Sequence, residues 1–442
     1  MALKNNASWI SPSFSVIKKG EKSTFAMSGV SIEKIAAHIP PPFYVYDAAT
    51  IRAQFISLQQ VFKPLGISIY YAIKPNPALA LVDGLYKLGA DLDVASLGEL
   101  VIAKKIGADP KRISFAGPVK NDEALEYALD YGVHIINAES EDELQRINTI
   151  AKRKNMKQRV ALRVNINRSV ENAAHQVMAG DASKFGIDEE QITRSFITKI
   201  QKLPHLELFG IHVYSANMLN TKGFLENIKN ICRVAQKLNT YFPIRSIDFG
   251  GGLAVPYTEN DEPLQLDKIA KYLGEILAQF PFIKNNNVAL SVEPGRYFVA
   301  QSGIYISQVD NVKVSHGEKM VLVDGGIHHF LRPSIVNGSH PVYNISKINA
   351  AHDVKMTVGG ALCTPIDILG KDVLLPKSTQ RGDLMGIFVA GAYGWSEAMP
   401  YFLSMQTASE VLVNDGKYFL LRPSDHPKEF LKKQIIPKGN MF

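Results

Sequence analysis

The sequence predicts a (β/α)₈ barrel joined to a C-terminal all-β domain, and three observations carry that reading. From about residue 40 to 295, short β-branched runs alternate with amphipathic helical runs. Eight strand candidates fall within roughly 250 residues, the arithmetic of a closed barrel. After Gly295 the texture changes: runs at 304–314, 319–323, 354–358 and 384–389 alternate or are β-rich, separated by Gly, Pro and Asp clusters. An open doubly wound sheet remains the alternative for the first region, because periodicity marks strands without showing whether they close.

The strand candidates in order are 67–73, 91–95, 113–116, 134–138, 160–165, 206–214, 246–249 and 288–292. Between them the spacing predicts helices over 121–131, with acidic residues in the first turn, and over 141–154. A third, over 192–203, places Ile192, Phe196, Ile197 and Ile200 along one face. Near 402–409 a helical pattern returns. The first 40 residues hold strand-like runs around Phe14 and Thr24, and Pro40-Pro41-Pro42 marks a crossing point. The expected organisation is therefore residues 1–40 joining the β-domain, 41–295 as the barrel and 296–442 as the β-domain.

Composition narrows the function classes. The chain has 442 residues, 46% hydrophobic and 21% charged, ordinary for a soluble globular protein with two substantial cores. The net charge of +7 is scattered. Its compact cluster, Lys152-Arg153-Lys154 with Lys157, sits at a helix end where cations are favoured, so no nucleic-acid partner is expected. Cys232 and Cys363 stand far apart, which gives neither a disulfide framework nor a metal-ligand spacing; no metal is expected, and Cys232 reads as core. The N-terminus lacks an apolar signal region and no run of ~20 apolar residues could span a membrane. A cytoplasmic protein is expected.

Chemistry-bearing residues recur where strands end. In a barrel these positions point into one mouth, and here they are Lys74, Asp93, Arg163, His212, Gly250-Gly251-Gly252 and Glu293. Each has a plain reading beside a functional one. Lys74, cut off at once by Pro75, is either a solvated strand end or an amine poised to form a Schiff base. The triple glycine is a flexible turn or an anion cradle, and Val255 at the sixth position excludes a Gly-x-Gly-x-x-Gly fingerprint. His212 is a core histidine or a ring stacked on a flat cofactor. Glu293 and Arg296, in Glu293-Pro-Gly-Arg296, form an ion pair, or a carboxylate for a cationic ring nitrogen beside a guanidinium for phosphate or carboxylate. Lysine, cradle, stacking ring and carboxylate together are the parts a pyridoxal phosphate site requires.

On these residues the chain resembles the fold type III pyridoxal-phosphate decarboxylases, the group of diaminopimelate, ornithine and arginine decarboxylases. The resemblance runs from Phe43-Tyr-Val-Tyr-Asp47 almost to the C-terminus. It includes Tyr71-Ala-Ile-Lys74-Pro-Asn76, Asp93-Val-Ala-Ser96, Leu162-Arg163, Ser183-Lys-Phe-Gly186, Gly250-Gly-Gly252, Glu293-Pro-Gly-Arg296, Cys363, Asp367 and Gly391-Ala-Tyr393. It implies the alanine racemase-like two-domain architecture and pyridoxal 5′-phosphate as cofactor. Lys74 would carry the cofactor as a Schiff base, His212 would stack on the pyridine ring, and Glu293 would keep the ring nitrogen protonated. Ser215, Gly252, Arg296 and Tyr393 would surround the phosphate, with Gly250 and Gly251 completing the cradle. Asp93 and Arg163 would lie beneath the ring. Cys363 and Asp367 would reach into a neighbouring subunit's site, so the resemblance implies a homodimer with shared active sites. Cys363 or Lys74 would return the proton after carbon dioxide leaves.

Departures from the family pattern bear on substrate. Members acting on diaminopimelate carry Glu after the cysteine, where this chain has Thr364-Pro365, and Tyr four residues after the Arg of an Arg-Pro pair, where Arg332-Pro333 leads to Val336. The usual Gly-Ser-Gln after the histidine becomes Tyr214-Ser215-Ala216-Asn217. Arg332, with Arg296 and Tyr393, still offers a cationic and polar surface for a distal anion, which disfavours ornithine. The Cys-Thr-Pro-x-Asp run is similar to a subgroup acting on conjugated substrates, such as carrier-protein-bound glutamyl groups and siderophore or other secondary-metabolite intermediates. The expectation is a decarboxylase for an amino acid or conjugate with a distal anion, with a carrier protein as a candidate partner. The alternatives are a strict diaminopimelate decarboxylase making lysine, an amino-acid racemase and a non-enzymatic pyridoxal-phosphate carrier.

Overall fold

A computed structural model describes residues 9–19, 22–167, 182–336 and 340–438, which fall into two compact units. The larger spans Ile51–Pro256 and Asp261–Phe298. Its strands are Ile67–Ala72, Asp91–Val94, Ile113–Phe115, Ile135–Ala138, Gln158–Asn165, Leu206–His212, Ser246–Asp248 and Ala289–Val292, numbered here as barrel strands one to eight. Every neighbouring pair is parallel, and strand eight pairs with strand one, so the sheet closes and the open-sheet alternative is excluded.

Local signals set the helices around it. Asn121 Oδ1 accepts the Ala124 N–H at the start of Asp122–Tyr131, and Gly132 in the left-handed region ends it. Ser140 does the same for Glu141–Arg153, whose first turn carries Glu141, Asp142 and Glu143. Each buries an apolar stripe on the barrel, Leu125 and Leu129 in one and Leu144, Ile147 and Ile150 in the other. Burial of each such side chain stabilises by roughly 1.5–3 kcal/mol. Thr221–Leu238 buries Cys232, as its apolar neighbours imply.

The smaller unit contains the described residues up to Thr50, Tyr257–Asn260 and the chain from Val299. Its main sheet runs Ile368–Leu375, Val354–Gly359, Glu318–Val323, Gly303–Ser315, Phe43–Asp47, Ser409–Asn414 and Lys417–Arg422, with Leu384–Phe388 branching from Gly303–Ser315. A three-stranded N-terminal sheet belongs to the same unit. Trp9, Phe25 and Phe388 form an edge-packed aromatic cluster in its core.

Two sequence expectations change. Phe43–Asp47, assigned above to the barrel, pairs antiparallel with Gly303–Ser315 and parallel with Ser409–Asn414. All five of its residues are buried, so its apolar run marks a central strand without saying of which sheet. The helical pattern near 402–409 resolves into a short 3₁₀ turn, Phe402–Ser404, followed by strand Ser409–Asn414. Positive φ at Leu403 and Ser404 stops any helix there.

Candidate active site

Strand registration assembles the site. Arg163, His212, Asp248 and Ser291 are successive Cα partners at the carboxyl ends of strands five to eight, and Ala72 partners Asp93 across strands one and two. Residues at one level of a parallel sheet point to the same side, so these polar side chains converge at one end of the barrel. Lys74 follows strand one in a turn held by Tyr71, whose hydroxyl donates to the Asn76 carbonyl at 2.8 Å, and by the Asn76 N–H to the Ile73 carbonyl at 3.0 Å. Lys74 is exposed, with Nζ 5.0 Å from the centre of the Tyr214 ring.

Desolvation dominates the electrostatics of this cluster. His212 Nε2 lies 3.1 Å from Glu293 Oε2, and burial pushes the imidazole down to about 4, with Arg163 acting the same way. Burial pushes Asp93 well above the carboxylate range, with the negative charge of Glu293 adding to it and Lys74 opposing. Asp248 is pushed up to about 7 by burial and by Glu293, although Ser291 and the Gly250 N–H both donate to it. Glu293 is itself raised by burial, and Lys74 and Arg163 draw it back. The ligand atoms of His212, Asp248 and Glu293 lie within 4.8 Å of one another, close enough for a cation. Both Asp248 oxygens, however, already accept protein hydrogen bonds.

Behind Arg163 stands a network that sequence reading missed. Arg163 Nη1 donates to Glu139 Oε1 at 2.7 Å, and the Gly186 N–H donates to Glu139 Oε2 at 2.6 Å. The Glu139 N–H donates to Glu143, which also pairs with the buried Lys120 at 3.0 Å. The Phe185 ring lies 4.5 Å from the Arg163 guanidinium. Glu139 and Asp248 each stand at or just past a strand end, the position that singled out Lys74, and that rule applied without exception would have found both.

The triple glycine has a different basis from the one its sequence suggests. A Cβ on Gly250, Gly251 or Gly252 would come within 2.4, 2.4 or 2.2 Å of the carbonyls of Val213, Glu293 and Ala216, so the glycines let three loops meet. The Gly250 N–H is engaged by Asp248. Among the described residues no acceptor takes the N–H of Gly251 or Gly252. Four buried polar atoms likewise lack a hydrogen-bond partner there: Asp93 Oδ1, His212 Nδ1, Ser215 Oγ and Glu293 Oε1. Arg296 opens the short helix Arg296–Val299.

Arg332, Cys363, Asp367 and Tyr393 belong to the other unit. The Arg332 guanidinium sits 5.1 Å from the Tyr257 ring, and its buried Nε has no partner among the described residues. Cys363 is an exposed free thiol, and Tyr393 has φ 58°. Asp367 faces the interior of its own unit. It is 3% exposed, and its two oxygens accept the N–H groups of Ile327 and Leu362 at 2.7 Å each. The carboxylate thus joins two loops of its own chain.

Comparison with known proteins places this arrangement. The model of the pyridoxal-dependent decarboxylase pyridoxal binding domain matches residues 48–300. The L-glutamyl-[BtrI acyl-carrier protein] decarboxylase of Niallia circulans is 32% identical over 421 residues, covering 93% of this chain and 97% of that protein. The diaminopimelate decarboxylase of Aquifex aeolicus is 31% identical over 402 residues, 90% of this chain and 93% of that one. The crystal structure of diaminopimelate decarboxylase from M. jannaschii matches with a TM-score of 0.87 and 27% identity, over 96% of this chain and 98% of that one. The Helicobacter pylori enzyme complexed with L-lysine matches at 0.83 and 29%, over 90% and 98%.

Proposed function

This chain belongs to the pyridoxal-dependent decarboxylase family, a carboxy-lyase with pyridoxal phosphate as cofactor, and we propose that its substrate is an amino acid or amino-acid conjugate carrying a distal anion. The observation that carries the substrate reading is Arg332: a cation seated on the Tyr257 ring, with a buried Nε that no described residue accepts from. An ammonium at the far end of ornithine would meet the wrong charge there. The similarity to a carrier-bound glutamyl decarboxylase supports a conjugated substrate. The second reading, strict diaminopimelate decarboxylation to lysine, has the support of the diaminopimelate decarboxylases among the relatives and solved structures. Thr364, Val336 and Tyr214-Ser215-Ala216-Asn217 stand against it.

The barrel residues suit the cofactor. Glu293 Oε1, a buried acceptor without a partner, would face the ring nitrogen, and Ser215 Oγ with the N–H groups of Gly251 and Gly252 would take the phosphate, joined by Arg296 and Tyr393. When bound, pyridoxal phosphate supplies an electron sink for the charge left as carbon dioxide departs. Glu293 would hold a proton at the ring nitrogen, which a racemase-type arginine would not do. Arg163 favours the ionised carboxylate of Glu293, and His212 stays neutral and offers its face. Lys74, exposed at its strand end, would be the residue that holds the cofactor covalently. Cys363 Sγ or Lys74 Nζ returns the proton to the α-carbon. Cys363, an exposed thiol, would act in a partner subunit's site if the active form is a homodimer.

Carbon dioxide release from meso-diaminopimelate, glutamate, ornithine and a pantetheine-linked glutamyl thioester tests the reading. Turnover is expected with the conjugate or diaminopimelate, and Arg332→Ala should raise KM about tenfold or more, the worth of a charge-assisted hydrogen bond. Turnover of ornithine alone, or an unchanged KM in Arg332→Ala, would refute it.

A further inference from the structure

Glu139 binds Arg163, one of the groups expected beneath the cofactor ring, and is a buried carboxylate with both oxygens engaged at once. One holds the Arg163 guanidinium and the other the Gly186 N–H. Gly186 sits at φ +75°, and a Cβ there would come within 2.8 Å of the Arg163 carbonyl, so the turn lies directly against the strand that carries Arg163. Phe185 covers the guanidinium from the same turn. On the other side, Glu143 receives the Glu139 N–H and pairs with Lys120, whose ammonium also donates to the Gly117 carbonyl. Two buried carboxylates, Glu143 and Glu139, therefore lie side by side between the positive Lys120 and Arg163. Arg163 in turn partners His212 across strands five and six.

We propose that Glu139 is a positioning residue for the reaction: its carboxylate forks between Arg163 and the Phe185-Gly186 turn, and so fixes the positive charge that stands beside His212 and Glu293. This role is the same whichever substrate is used. Arg163 favours the ionised form of Glu293 and the neutral form of His212, so its placement sets the charge presented to the cofactor ring. The other charged groups acting on the His212–Glu293 pair are Lys74, Asp93, Asp248 and Glu139 itself. An untethered guanidinium could instead turn toward any of the neighbouring carboxylates.

Glu139→Gln tests this without changing volume. An amide has an acceptor on one side and only a donor on the other, so it can satisfy Arg163 or Gly186 but not both in the present geometry. The holoenzyme should bind pyridoxal phosphate about tenfold more weakly, the worth of one charge-assisted hydrogen bond. The pH midpoint of the bound cofactor's absorbance should also shift. In an Arg163→Met background the same change should leave that midpoint where Arg163→Met alone puts it. If Glu139→Gln lowers the melting temperature but moves neither midpoint nor cofactor affinity, the role is merely structural and the proposal fails. It fails equally if the shift persists at full size without Arg163. Should Glu139→Gln not fold, Glu139→Asp keeps the charge but shortens the fork, and an unchanged midpoint there overturns the proposal.

Discussion

His212 Nε2 stands 3.1 Å from Glu293 Oε2, with both side chains only 2% exposed and 81 residues apart in sequence. Burial drives the imidazole toward its neutral form, so this contact is an N–H donated to a carboxylate rather than an ion pair. The other carboxylate oxygen keeps no partner among the described residues.

Asp248 should make stability fall with pH. Its folded value of about 7 lies above the ordinary carboxylate value, so the folded state holds more protons from about pH 4 to 7 and loses stability as pH rises through that window. His212, lowered to about 4, works oppositely, its stabilisation being present above about pH 6.5 and lost as pH falls toward 4. In the cofactor-free protein, Asp248→Asn should therefore gain on the wild type as pH rises, by on the order of 2–4 kcal/mol at pH 8 relative to pH 4. Urea unfolding at several pH values measures it, and a pH-independent difference would contradict the assignment.

Lys74→Ala should abolish covalent trapping of the cofactor by borohydride and lower turnover by roughly 10³-fold or more. Mass spectrometry of the reduced wild type should find the pyridoxyl group on Lys74. Its appearance on another lysine would remove Lys74 from the mechanism.

The Lys120–Glu143 pair is almost wholly buried at 3.0 Å. Lys120→Met should cost about 3–5 kcal/mol, because it leaves the buried Glu143 carboxylate with Arg146, 4.0 Å away, as its remaining counter-charge. Adding Glu143→Gln should recover most of that loss, since glutamine still accepts the Glu139 N–H. Chemical denaturation of the two variants decides it, and equal losses would mean that packing rather than charge is at stake.

Asp367→Ala removes the acceptor for two buried N–H groups, and about 2–4 kcal/mol of stability should go with it. Thermal unfolding reads this directly. Full stability with lost activity would return Asp367 to the substrate site that its geometry argues against.

Local chemistry made much of this protein legible in its sequence. Strand runs, Asn121 and Ser140 caps and the stop at Pro75 depend on near neighbours, and they place Lys74, Arg163, His212 and Glu293 at strand ends without any tertiary information. Which partners these residues meet depends on strand pairing across long separations and on desolvation, and neither is written locally. The run Phe43–Asp47 marks a buried strand, but only the sheet it joins assigns it to the β-rich unit. Asp367 reads as a functional carboxylate until two backbone N–H groups claim its oxygens. Glu139 looks like an ordinary acid after a strand, and folding turns it into the fork that holds Arg163. The sequence by itself determined a barrel with a lysine at the end of its first strand. Only the tertiary structure decided which buried charges face one another, because burial and pairing act between residues that the chain brings together only when it folds.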